Sequence, residues 1–218
     1  MAVRHVIFDC DGVLVDSEPI SMRADVRILK RFGIHMDEHE AHEKFVGKTF
    51  EAMLDMMRAE HGVVFPPGLH KVKNDLVEAL YLTDLRIVPG VRDVLADLKA
   101  RGISCSVASN SPRRRIDLTL RLMRLAEHFT HVVTFEDVKN GKPAPDVFLK
   151  AAEMAGVPAT DCLVVEDSTT GVTAAVAARI ATIGFVGTHH EPLTHARRLI
   201  ELGAMETASA MQDVAGLI

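Results

Sequence analysis

The chain lacks an excess of basic residues, a long apolar run and a dense set of cysteines. Its net charge is -5 over 218 residues, which argues against a nucleic-acid partner because such partners select basic surfaces. No apolar stretch approaches the roughly 20 residues that span a bilayer, and no cleavable leader is expected before the first predicted strand, so no membrane partner is expected. The three cysteines, Cys10, Cys105 and Cys162, fall in or beside predicted strands and are interpreted as buried thiols in a reducing cytoplasm.

What the chain does contain is an ordinary globular composition, 48% hydrophobic and 25% charged, enough for a large core with a smaller domain. From residue 88 onward, strand-like and helix-like segments alternate. The alternation predicts an α/β fold, a Rossmann-like doubly wound parallel sheet with helices on both faces. Residues 17–86 have helical periodicity without a convincing strand, which predicts an inserted α-helical cap domain. The catalytic core is therefore assigned to residues 1–16 and 87–218.

Apolar periodicity, with proline and glycine at the element ends, predicts the individual elements of this core. The predicted strands cover residues 3–8, 103–108, 131–134, 162–165 and 181–186. The predicted helices cover residues 91–100, 112–125, 145–155 and 169–178. The last strand is followed by His189, His190 and, further on, His195, which could line the entrance of a site, although a plain loop is the preferred interpretation.

The most informative local feature is the segment Asp9-Cys10-Asp11-Gly12, which follows the apolar run at 3–8. Such a run, ending at acids and a glycine, predicts a buried strand that leads into a turn. Two carboxylates beside that turn can divide attack on phosphorus and proton transfer between them, if a divalent cation restrains their repulsion. The segment indicates phosphoryl transfer, although Asp and Gly also form plain turns.

Polar residues follow three further predicted strands, at the edge where parallel sheets bind ligands. Ser109 and Asn110 precede a helix, where a hydroxyl and free backbone amides suit a phosphate group and capping is the alternative. Lys142 lies in a loop that prolines stiffen, and Glu166 and Asp167 follow the fourth strand. Together with the first acid pair, these residues predict a site for a metal and a phosphate group.

The four segments resemble the motifs of the haloacid dehalogenase (HAD) superfamily, and within it the β-phosphoglucomutase-like phosphatases with a helical cap. They stand at residues 9–18, 107–110, 141–146 and 164–168. The resemblance covers nearly the whole chain, and four ordered motifs make it specific. It implies a Mg2+-dependent phosphatase that acts through an aspartyl-phosphate.

The resemblance also implies catalytic roles. Asp9 would be the nucleophile, and Asp11 would protonate the leaving alcohol and then activate water. Ser109 and Lys142 would neutralise the phosphoryl oxygens, as phosphoryl transfer requires. Asn110 is a further candidate for substrate binding, next to Ser109.

A magnesium site is implied by the same resemblance. Asp167 would bind Mg2+ together with the Asp9 carboxylate and the Asp11 backbone carbonyl, while Glu166 would support the metal directly or through water. Mg2+ prefers few carboxylates plus water and phosphate oxygens, which fits this set.

Three alternatives can be compared with these residues. A sugar-phosphate mutase of the family would have a His and an Arg where Ser21 and Phe50 stand. A phosphonoacetaldehyde hydrolase would need a cap lysine, and Lys48 is two residues early, so Lys48 is interpreted as solvated or substrate-binding. A phospho-accepting regulatory domain would need no lid, so the helical insert and Lys142 both favour the enzyme.

The expected partner is a small phosphorylated metabolite, such as a sugar, polyol or sugar-acid phosphate, and the chain is expected to be a monomer or homodimer in the cytoplasm. One departure from the family is visible at Arg179, where relatives usually have glycine. That residue would have to adopt the left-handed conformation or end its helix otherwise.

Overall fold

The computed structural model describes residues 3–45 and 48–218. The chain divides into two compact units, a core unit that runs to Asp16 and resumes over Arg86–Ile218, and an insert, Ser17–Leu85. Residues 1, 2, 46 and 47, which the sequence assigns to the core and the cap, lie outside the described residues. Arg86 was predicted to belong to the cap, but it pairs with Asp16 and falls in the core unit.

The core unit is built on a six-stranded sheet in which every pair of neighbours is parallel. The strands of the described residues are β1 (His5–Phe8), β2 (Val15–Asp16), β3 (Arg86–Ile87), β4 (Ser104–Ser109), β5 (His131–Thr134), β6 (Cys162–Glu166), β7 (Ala181–Phe185) and β8 (Glu206–Ala208). The order in the sheet is β5-β4-β1-β6-β7-β8, and β2 and β3 form a separate antiparallel ribbon. The central strand β1 is buried on both faces, as expected for a parallel sheet covered by helices.

Helices make up the insert. They are α1 (Glu18–Arg31), α2 (Glu38–Phe45), α3 (Phe50–His61) and α4 (Leu69–Asp84). Ile28, Met53 and Met57 belong to the apolar cluster that these helices bury among themselves. The insert thus has a hydrophobic core of its own, as a separate structural unit requires.

The core unit contributes the remaining helices, which are α5 (Val91–Ala100), α6 (Arg113–Leu122), α7 (Asp146–Ala155), α8 (Thr169–Ala177), α9 (Pro192–Glu201) and α10 (Met211–Leu217). Phe148 of α7 packs in one buried cluster with Ile7 and Val164 of the sheet. Within the described part of the chain, no helix combines the length and apolar character needed to cross a bilayer.

The predicted α/β fold with its parallel sheet is confirmed, and differences are found at particular elements. The predicted helix 112–125 ends at Leu122, and Arg124 has a left-handed φ of 51°. Arg179 takes the left-handed conformation, with a φ of 59°, which was one of the two outcomes expected there. The expectation that the strand at 181–186 is the last of the sheet is wrong, because β8 pairs with β7 beyond it.

Candidate active site

The carboxyl ends of the central strands bring the sequence-predicted acids to one place. Asp9 directly follows β1, and its backbone N–H donates to the carbonyl of Val165 in β6, at 2.9 Å. The following turn is closed by a hydrogen bond from Gly12 N–H to the Val15 carbonyl, at 2.8 Å. Gly12 has a φ of 85°, and a Cβ there would lie 2.0 Å from Asp167 Oδ2. The loops after β1 and β6 are therefore in direct contact, which only glycine at position 12 permits.

Lys142 occupies the centre of the buried cluster. Its Nζ donates to Asp9 Oδ1 at 2.5 Å, to Glu166 Oε2 at 2.6 Å and to the Ala108 carbonyl at 2.9 Å. The ammonium group thus uses all three of its donors on oxygens of three different strand ends. The side chain also lies over the Phe148 ring, with Nζ 4.9 Å from the ring centroid.

The Glu166 side chain is completely buried, and both of its carboxylate oxygens accept hydrogen bonds from protein groups. Its Oε1 accepts from the backbone N–H groups of Asp167, at 3.1 Å, and Ser168, at 2.9 Å, and from the Ser168 hydroxyl, at 2.8 Å. Since Oε2 is bonded to Lys142, this carboxylate ties the start of α8 to the central lysine.

The electrostatics of the cluster follow from burial of several charges together. Burial, reinforced by the charge of Glu166, raises the pKa of Asp9 to about 8, while Lys142 acts in the opposite direction. Burial, followed by the charges of Glu166 and Asp9, raises the pKa of Asp167 well above its usual range. For Lys142, burial alone would lower the pKa, but Asp9 and Glu166 outweigh it and raise the pKa. The lysine therefore stays charged.

An acidic cluster suited to a metal ion is formed by Asp9, Glu166 and Asp167. One carboxylate oxygen from each residue lies within 4.8 Å of the others. Hard carboxylate oxygens are ligands for cations such as Mg2+. Of these three acids, Asp9 and Glu166 contact the Lys142 ammonium group, so a divalent cation would offset the remaining negative charge and stabilise the ionised carboxylates. The donor set and its charge therefore fit a divalent metal.

A polar run begins at Ser109, the last residue of β4, and is joined through Asn110 to the loop of Lys142. Ser109 is buried, and its Oγ accepts from the Ser111 N–H at 3.0 Å, which leaves the hydroxyl proton available to another acceptor. The Asn110 amide forms two bonds of 2.9 Å with the main chain of Lys142, one to its carbonyl and one from its N–H. Asn110, predicted to bind substrate, thus serves in this structure to hold the lysine loop.

Three further side chains contact the loops that carry the predicted residues, and of these only His195 was considered from the sequence, as a residue that could line the entrance of a site. The Ser111 hydroxyl donates to Asp11 Oδ2 at 2.6 Å, and Thr188 and His195 contact the backbone of Gly12 and Asp167. Ser111 could have been found from its position in the polar run after β4. The other two follow β7, a strand next to β6 in the same sheet, and this adjacency was the available signal.

Two residues of the insert bear on the alternatives considered above. Lys48 is exposed, and its backbone N–H donates to the Phe45 carbonyl at 2.9 Å. Phe50 is buried at the start of α3, where the Lys73 ammonium lies 4.7 Å from its ring centroid. Phe50 therefore contributes to the core of the insert.

Replacing a glycine within a helix by alanine usually stabilises a protein. At Gly171, in the first turn of α8, the same change is expected to be destabilising. A Cβ there would lie 1.9 Å from the Glu166 carboxyl carbon. Gly171→Ala should therefore destabilise the protein by about 1–3 kcal/mol through overpacking. Gly216→Ala in α10 is the matched control, since nothing lies within 4 Å of its Cβ position, and it should be neutral or stabilising by up to about 1 kcal/mol. Urea unfolding of both variants measures the contrast, and equal effects would contradict it.

Comparison with known proteins identifies the family. The sequence profile described as "Haloacid dehalogenase-like hydrolase" matches residues 6–185. The chain belongs to this family, and the predictions of family and of an enzyme of the hydrolase class are confirmed.

Individual relatives cover most of the chain. Hexitol phosphatase B of Escherichia coli (strain K12) is 30% identical over 183 residues, 83% of this chain and 82% of the relative. The phosphorylated carbohydrates phosphatase of Thermotoga maritima is 32% identical over 208 residues, 93% of each. Among solved structures, a HAD family hydrolase from Deinococcus radiodurans R1, with bound phosphate and sodium, has a TM-score of 0.82 at 32% identity, covering 99% of this chain and 97% of that one.

Proposed function

We propose that the protein is a Mg2+-dependent phosphatase of small phosphomonoesters, with a sugar, polyol or sugar-acid phosphate as substrate. The observation that supports this most directly is the contact of one buried ammonium group, Lys142 Nζ, with both Asp9 and Glu166. A nucleophilic carboxylate, a fixed cation and an acidic cluster together suit phosphoryl transfer, where positioning and charge neutralisation dominate. The names of the relatives support a phosphorylated carbohydrate as the substrate class.

The proposed reaction has two halves. In the first, an Asp9 carboxylate oxygen bonds to phosphorus, the bond from phosphorus to the ester oxygen breaks, and Asp11 gives its proton to the leaving alcohol. In the second, water attacks the aspartyl-phosphate, Asp11 accepts the water proton, and phosphate and free Asp9 result. The hydrogen bond from Ser111 to Asp11 Oδ2 would orient the acid for both transfers.

The other residues act on the phosphoryl charge. Lys142 and the Ser109 hydroxyl would bind its oxygens, and Asn110 would position Lys142 through the main chain. Asp9, Asp167 and the Asp11 carbonyl would hold Mg2+, with Glu166 in support. Bound there, Mg2+ would supply further neutralisation of negative charge.

The insert is proposed to contribute to substrate choice, with Lys48 as a cation for an anionic substrate. A mutase is disfavoured, since Ser21 is not a histidine and Phe50 is a buried apolar residue of the insert. A regulatory domain is disfavoured because phosphate acceptance alone does not require a helical insert. We further propose that the protein acts in the cytoplasm.

A panel of phosphate esters tests this function. Hexitol phosphates, sugar phosphates and sugar-acid phosphates should release phosphate over many turnovers in MgCl2 and none in EDTA, with the substrates ranked by kcat/KM. The organic product of turnover should be the free alcohol, without a phosphate group. Isomerised sugar phosphate without phosphate release would instead indicate a mutase, and stoichiometric labelling without turnover would indicate a regulatory domain.

A further inference from the structure

The segment that follows β7 contacts the backbone of the loop after β1. We name residues 186–195 the post-β7 segment; it leads from the sheet into the first turn of α9. Within it, the Thr188 hydroxyl donates to the carbonyl of Gly12 at 2.8 Å. Gly187 precedes this threonine, and a Cβ at position 187 would lie 2.4 Å from the Ser209 carbonyl. The backbone is thus closely packed at the point from which Thr188 projects.

A second contact reaches the loop after β6. His195 Nε2 lies 2.6 Å from the Asp167 carbonyl oxygen, and because a carbonyl only accepts, the imidazole donates from Nε2. The His195 ring is stacked on that of His189, with centroids 3.6 Å apart and an angle of 13° between the planes. The stack restricts rotation of the donor ring.

Both contacted carbonyls belong to the loops that carry the acidic cluster. Gly12 directly follows Asp11, and Asp167 is itself a member of the cluster. The two loops are already in contact, because a Cβ added at Gly12 would lie 2.0 Å from Asp167 Oδ2. The post-β7 segment therefore holds both loops, at their carbonyl oxygens, in one arrangement.

We propose that Thr188 and His195 are positioning residues that set the affinity of the acidic cluster for its divalent cation. The inference rests on the proposed Mg2+ site, and it assigns a role to a segment that the catalytic mechanism does not use. Groups that orient metal ligands through hydrogen bonds typically change metal affinity or activity by about 10–100-fold when they are removed. Here the hydrogen bonds orient the backbones of the two loops. Removing them should therefore weaken cation binding more than ester binding.

The test measures Mg2+ binding without any ester, by calorimetric titration of MgCl2 into the protein. Thr188→Val and His195→Phe remove one donor each while preserving size, and His195→Phe retains a ring to stack on His189. Both should raise the Kd for Mg2+ about tenfold or more. His195→Gln keeps an N–H donor and should lie closer to the original affinity, and Thr194→Val is the matched control because Thr194 is exposed in the same helix turn.

Two further measurements separate positioning from general loss of structure. Unfolding in EDTA should give similar Tm values for all variants. The Mg2+ concentration for half-maximal phosphate release should rise by the same factor as Kd, with the ester KM at saturating Mg2+ unchanged.

This inference would be overturned if every variant bound Mg2+ with the same affinity, or if Thr194→Val lost as much Mg2+ affinity as Thr188→Val and His195→Phe. Either result would leave the proposed function intact. A raised ester KM with unchanged Mg2+ affinity would overturn the inference as well. An unsubstituted protein that binds no Mg2+ would contradict the proposed metal site itself, and with it the role of the segment.

Discussion

Asp9→Asn is expected to reduce kcat for the best phosphomonoester by about 10⁴-fold or more, since it would remove the proposed nucleophile of the proposed covalent mechanism. The substitution is nearly isosteric and removes one negative charge from a cluster of three acids. Because burial already raises the pKa of Asp9, losing its charge should leave the fold stable. Steady-state phosphate release, with unfolding in urea measured in parallel, separates the two effects.

Asp97→Asn provides the control for this change. Asp97 lies on α5 and is paired with Arg101 at the surface of the core unit, at 3.2 Å. Surface pairs of this kind contribute little, so turnover should be unchanged. Retention of substantial activity in Asp9→Asn would show that another group attacks phosphorus.

Lys142→Met is expected to have the largest effect on stability. Its removal leaves Asp9 and Glu166 buried without the ammonium group that contacts both. Loss of one member of a buried ionic cluster typically destabilises by about 3–5 kcal/mol. It would also remove the fixed cation that is proposed to bind the phosphoryl group, so kcat should fall by about 10²–10³-fold. Urea unfolding and phosphate release measure the two losses.

The double variant Lys142→Met with Glu166→Gln shows whether the loss of stability in Lys142→Met comes from an unpaired buried charge or from lost side-chain packing. Removing the second charge should restore about 1–3 kcal/mol of the lost unfolding free energy, without restoring activity. Lys139→Met, at an exposed lysine of the same loop, is the control and should change neither quantity. A double variant as unstable as the single one would mean that packing of the lysine stem, rather than its charge, is what matters.

The elements that could be predicted from the sequence are those with strong local signals. The bounds of α5, Val91–Ala100, were predicted to the residue because a Pro-Gly pair precedes the helix and Arg101-Gly102 follows it. The end of α6 was missed because buried Leu125 continues the apolar pattern past the turn that Arg124 makes. Apolar periodicity alone does not separate a helix from the turn that follows it.

Elements that depend on distant partners could not be predicted. The ribbon of β2 and β3 has two residues in each strand, and its register joins Val15 to Ile87. Such strands carry too few residues for a periodic signal. The strand β8, Glu206–Ala208, has three residues and is likewise defined by pairing with β7.

The candidate active site likewise has residues with a local sequence signal and residues that depend on distant partners. Asp9, Asp11 and Lys142 stand in motifs whose residue types and order are informative on their own. The supporting hydrogen bonds join residues far apart in the chain, such as Thr188 with Gly12 and Ser111 with Asp11. Ser111 is marked by its place in a polar run, whereas no local pattern distinguishes Thr188 from an ordinary loop residue, and the partners of both appear only once the strand order is known.

The chain leaves the core at Asp16 and returns at Arg86, and these two residues are ladder partners in the ribbon. The entry and exit of the insert are therefore held side by side by the core itself. Doubling the length of a closed loop adds only about 0.6 kcal/mol of closure entropy. The insert can consequently be exchanged, lengthened or redesigned as a module while the ribbon keeps its two ends paired in the core unit.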